Sequence, residues 1–101
     1  MNTESLVAHA RARFDHEAAK RVLKEKYQAK LTFAYNGGMW RASPEMITFL
    51  SLYSEEEIVI PDLYENPIRV QAGNLCLAMK ERWQEQMNAW LVEYEQLSNK
   101  R

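Results

Sequence analysis

A single cysteine, Cys76, stands among the 101 residues, so no disulfide can close within the chain. That usage fits a reducing compartment, and a thiol between Leu75 and Leu77 reads as a small core residue. The two histidines, His9 and His16, lie seven apart, farther than zinc-binding helical pairs, and no cysteine or carboxylate set completes a site. They read as exposed helix residues, and no metal or organic cofactor is expected. The one glycine pair, Gly37-Gly38, is not followed by the Gly-Lys-Ser/Thr of a phosphate loop. Glu55-Glu56-Glu57 lacks the ligand spacing of a calcium loop and reads as a solvated strand entry. Nothing pairs a nucleophile with a base. No apolar run is long enough to cross a bilayer, and Met1–Ser5 has neither the basic lead nor the apolar stretch of a secretory signal. A net charge of −1 supplies no global field for nucleic acid. These absences point to a protein that binds and assembles and is not an enzyme.

Apolar residues make up 47% of the chain, enough for one modest core, and a single domain over residues 1–101 is expected. Charge is uneven: residues 1–50 carry eight Lys/Arg against five Asp/Glu, and residues 51–101 carry five against nine. That asymmetry either orients subunits head to tail or is ordinary solvated helix surface.

Thr3 is a candidate cap for a helix over 4–29, in which Val7, Ala10, Phe14, Ala18 and Val22 recur at spacings of three and four. Ala19, Leu23 and Tyr27 widen that stripe. The period then changes. Leu31, Phe33 and Tyr35 alternate with Thr32 and Ala34, Asn36-Gly37-Gly38 tolerates the positive φ of a tight turn, and Met39–Ala42 returns, which predicts a β-hairpin over 31–42. Ser43-Pro44-Glu45 is a helix start, predicting a helix over 44–53, with a continued strand through 47–52 as the rival. Ile58-Val59-Ile60 and Ile68–Gln71 read as two more strands around an Asn66-Pro67 turn. Ala72-Gly73-Asn74 reads as a break. A long helix over 75–98 follows, in which Met79, Trp83, Met87, Trp90, Tyr94 and Leu97 form a coiled-coil-like stripe; Leu75–Ala78 could instead be a fifth strand. So much apolar area at the end of so small a core must be covered by the first helix or by another subunit.

The segment Phe33–Trp40, with Ser43-Pro44-Glu45 and Tyr64–Val70, resembles a family of small marine metagenomic proteins of T4-like cyanophage origin. The resemblance implies an α+β chain in which a small, bent antiparallel Sm-like sheet is flanked by long N- and C-terminal helices. It implies closure into a ring of five to seven copies by pairing of edge strands, RNA binding in many members, and a place in the cytoplasm of an infected host cell. The Asp-x-x-Asn loop and the Arg-Gly pair of the usual Sm base pocket are both absent.

The first expected function is therefore a ring-forming accessory protein that binds single-stranded RNA or DNA. Lys30, Tyr35, Asn36, Trp40 and Arg41 of the hairpin would serve as the binding surface, since aromatics stack on bases and cations meet phosphates. The rival reading, favoured for each aromatic taken alone, makes Phe33, Tyr35 and Trp40 plain core residues. Ile58, Ile60, Ile68 and Val70 would form the subunit interface, with Arg11, Arg13, Lys20 and Lys24 as reserve contacts to nucleic acid. The alternative is a structural protein that docks through its helices onto a larger partner.

Overall fold

Period and capping chemistry explain the elements one by one. In the computed structural model, which describes residues 3–99, the order is α1 (Thr3–Ala29), β1 (Thr32–Tyr35), β2 (Gly38–Arg41), α2 (Pro44–Ser51), β3 (Glu57–Pro61), β4 (Pro67–Gln71) and α3 (Ala72–Asn99). β1 and β2 are joined by two residues, Asn36 at φ 50° and Gly37 at φ 82°, the left-handed pair that a tight hairpin turn requires. Gly38 already belongs to β2, and the Trp40 ring lies where its side chain would be. α2 starts as expected: the Ser43 hydroxyl accepts from the Met46 N–H at 3.1 Å, and Pro44 occupies the first turn. The strand alternative for 47–52 does not occur. Thr3 lies inside α1, so whatever caps that helix is outside the described residues.

The C-terminal helix departs further from expectation. Ala72-Gly73-Asn74 forms its first turn, and Leu75–Ala78 is helical, not a strand. Two contacts explain this. The Gln71 side chain accepts from the Asn74 N–H at 2.7 Å, capping the helix, while its amide donates to the Ser54 carbonyl at 2.9 Å. Gly73 lets the Ser54 loop come close: a Cβ there would lie 2.4 Å from the Ser54 oxygen.

The strands form two separate antiparallel hairpins, β1–β2 and β3–β4, and among the described residues no continuous bent sheet joins them. Polar contacts link them instead. At the edge of β2, the Met39 N–H donates to Asp62 Oδ2 at 3.1 Å and the Met39 carbonyl accepts from the Leu63 N–H at 2.9 Å. Reciprocally, the Asn36 amide of the first turn donates to the Arg69 carbonyl of β4 at 2.9 Å. Each turn thus sits on a strand of the other hairpin.

Both hairpins and α2 pack on the N-terminal third of α3. Leu31, Phe33, Trp40, Leu50, Ile60 and Val70 meet Leu75, Cys76 and Met79 in one core. The helices carry the fold far beyond that core. Extents of 66 × 24 × 19 Å and a radius of gyration of 19.6 Å contrast with roughly 13 Å for a compact chain of this length. Core truncations should be costly: Leu75→Ala or Met79→Ala, both fully buried, is expected to lose about 2–5 kcal/mol in urea unfolding, against near neutrality for Leu77→Ala on the exposed side of the same helix.

Candidate functional site

The hairpin surface is built from alternation, and alternation decides which side chains leave it. Phe33 and Trp40 stand directly opposite each other in the register, so they share a face, and that face is the core. Trp40 is 2% exposed, and its indole N–H donates to the Tyr35 carbonyl at 2.9 Å. This corrects the expectation for Trp40: its ring fills the core and offers no platform to a base. Tyr35 is half-buried against the same core. Asn36 is a turn residue whose amide is engaged with β4. What remains outward is cationic: Lys30, whose ammonium lies 5.0 Å from the Tyr27 ring centre, and Arg41 at the rim of a shallow cleft of about 250 Å³ lined by Trp40, Met46, Leu63 and Met79.

The residues expected at the subunit interface are packed within the chain. Ile60 and Val70 are buried in the chain's own core, and Ile58 and Ile68 pack against it. Their side chains are occupied within one copy.

The second surface is helical. α1 and α3 pack together, and the polar pin between them is Glu93, which accepts from the Tyr27 hydroxyl at 2.5 Å and from Lys26 Nζ at 2.8 Å. The Lys26 hydrogen bond, then that of Tyr27, holds the Glu93 carboxyl below its ordinary range; Glu93 in turn raises Lys26 and Tyr27. His16, Ala18, Ala19, Lys20, Leu23 and Tyr27 are the shielded residues of α1, most of them at helical spacings of three and four. Of the stripe read from the sequence, Ala19, Leu23 and Tyr27, which widen it, pack, and Ala18 is half-buried, whereas Val7, Ala10, Phe14 and Val22 are open. Leu6 is 54% exposed, Val7 51%, Phe14 69% and Val22 64%. Every described residue of α1 from Thr3 to Asp15 is exposed. On α3, Trp83, Met87 and Trp90 are half-buried, whereas Leu91 and Tyr94 remain exposed. The first helix therefore covers part of the α3 stripe and leaves part of its own uncovered.

Asp62 is the functional-looking acid that sequence reading passed over as an ordinary turn residue. It is buried, and its carboxylate accepts backbone N–H bonds from Met39, Tyr64 and Asn66. Those bonds, Met39 first, hold its carboxyl below the usual carboxylate range. The signal available was an Asp followed four residues later by Asn-Pro, which favours side-chain-to-backbone bonding in turns. The three backbone bonds to Asp62 tie the two hairpins together.

Among the described residues, no group of three or more His, Cys, Asp or Glu side chains could hold a metal ion, and no helix is long and apolar enough to cross a membrane. Comparison with known proteins finds no matching family model, curated protein or solved structure.

The depressed carboxyls dictate a pH dependence. A group whose folded pKa lies below its unfolded value contributes stability above the unfolded pKa and loses it as pH falls through the folded one. Asp62 and Glu93 both act in this sense, so thermal stability should fall as pH drops below the ordinary carboxylate range. Asp62→Asn is expected to lower Tm at neutral pH and to flatten the acid limb of a Tm-against-pH series. An unchanged acid limb in that variant would show that other groups govern it.

Proposed function

We propose that this chain is an assembly protein that works by docking the open face of α1 against another protein surface. The observation that carries this is the exposure of large apolar residues, Val7, Phe14 and Val22, along one side of a helix whose opposite side is already packed. A water-facing stripe of four large apolar residues over four turns has no role in the monomer, because α3 takes the Ala19–Leu23–Tyr27 side. The fold supports the arrangement: a small core anchors one end of α1 and α3 stiffens its C-terminal half, leaving its first turns projecting as an arm.

The nucleic-acid reading draws on a different observation, the outward cations Lys30 and Arg41. With the aromatic rings turned inward, that surface has charge but little stacking, so any binding would be non-specific and shallow in its salt dependence. An Sm-like ring would further require pairing at strand edges. The edge of β2 at Met39 and that of β4 at Arg69 already carry contacts from the opposite turns. Assembly through the helix is therefore the function favoured.

A photo-crosslinking residue placed at Val22 or at Arg41, in the full chain within cells that naturally express it, separates the two. The expected result is a protein adduct from position 22, with either a second copy or a different protein, and none from position 41. A nucleic-acid adduct from position 41, reduced by Lys30→Ala and accompanied by no protein adduct from position 22, would overturn the assembly function.

A further inference from the structure

We infer that the occupant of the open α1 face is a second copy of this chain, packed antiparallel about a two-fold axis at Phe14. The inference rests on the docking function proposed above and names its partner.

The stripe is self-matched about its centre. Leu6 and Val22 lie eight residues to either side of Phe14, and Ala10 and Ala18 lie four to either side. At about 100° per residue Ala10 and Ala18 lie 40° and Leu6 and Val22 80° to opposite sides of Phe14, so an antiparallel pair centred there would set Phe14 against its own copy and Ala10 beside Ala18, with Leu6 and Val22 at the two margins. Such a contact is isologous, each patch meeting the same patch on its partner. The small residues flanking the centre let two helix backbones approach while the two rings fill the middle. Arg21, the charged residue inside the stripe, comes opposite Val7 near the end of the contact, where its head can turn out to water.

The charges beside the stripe decide the direction. At about 100° per residue, Arg11 and Glu17 lie roughly 60° to either side of Phe14, and Asp15 and Arg13 roughly 100° to either side. One flank thus carries Arg11 and Asp15, and the other carries Arg13 and Glu17. In an antiparallel pair like flanks meet, so Arg11 of one copy faces Asp15 of the other, and Arg13 faces Glu17, each twice per dimer. In a parallel pair opposite flanks meet, which would set Arg11 beside Arg13 and Asp15 beside Glu17. Like charges then oppose on both flanks, and the parallel arrangement is disfavoured. Among the described residues, Arg11, Arg13 and Asp15 have no ion-pair partner in their own chain, and Glu17 has only an exposed contact of 3.9 Å to Lys20 on the next turn. The geometry also separates the bulky ends: the two cores sit at opposite ends of the helix pair.

The contact is short, about 21 Å from Val7 to Arg21 at the helical rise, so the dimer should dissociate in the micromolar range. Sedimentation equilibrium of the full chain across that range should give a monomer–dimer equilibrium. Phe14→Asp should weaken it by about thirtyfold or more, the loss expected at the centre of an interface, with unchanged circular dichroism. Direction is read by disulfide trapping, since the native Cys76 is buried. Phe14→Cys should cross-link to itself; Ala10→Cys and Ala18→Cys should not do so alone but should cross-link when mixed. Self-cross-linking at all three positions would overturn the antiparallel register. A monomeric mass at every concentration would overturn the second copy as occupant. A protein adduct of a different mass from the Val22 photo-crosslink would then still uphold docking by α1, so the two failures are distinguishable.

Discussion

A two-stranded hairpin is at best marginally stable alone in water, and this chain has two of them that do not pair edge to edge. What holds them is the reciprocal seating of each turn on the other hairpin, with the buried Asp62 carboxylate at its centre. Three backbone N–H groups converge on that carboxylate, one of them from the other hairpin. A charged acceptor in a sheltered place makes shorter, stronger hydrogen bonds than a neutral one would. Once the two turns are locked, Trp40, Ile60 and Val70 point the same way, and α3 can close over them.

α3 then couples two parts of different character. Its first third is core, seated through Leu75, Cys76 and Met79. Its last third is a rail for α1, attached by Glu93 to Tyr27 and Lys26. The polar pin carries no large stability of its own, because ion pairs that water can reach are weak. Its effect is directional: it fixes which side of α1 faces α3, and so which side is left for a partner. Of the two sides of α1, that bearing Ala19, Leu23 and Tyr27 lies against α3, and that bearing Phe14 and Val22 lies against water.

That choice separates the binding surfaces the chain could have had. Hairpin aromatics free in solution would favour bases; drawn inward, they make the core, and only the cations are left outside. The strand side chains Ile60 and Val70 are likewise drawn into the core of one copy. The apolar area left over is on a helix, and helices with open stripes associate with other helices or with grooves.

Local chemistry was sufficient for much of this in the sequence alone. The change from a 3.6-residue period to alternation and back set the order of helices and strands, Asn36-Gly37 set the first turn, and Ser43-Pro44 set the start of α2, because each depends on residues within a few positions of one another. The inward turn of Trp40 was also within reach: a two-residue turn at 36–37 places it opposite Phe33. The tertiary structure alone decided the rest. Ala72–Asn74 became helix because a loop 17 residues away, at Ser54, engages Gln71 and fits over Gly73. Asp62 became a junction because Met39 was brought to it across 23 residues. The open face of α1 was settled by Glu93, 66 residues from Tyr27. Spacing along a helix reports that two apolar faces exist, but which of them is covered depends on contacts that no local pattern contains.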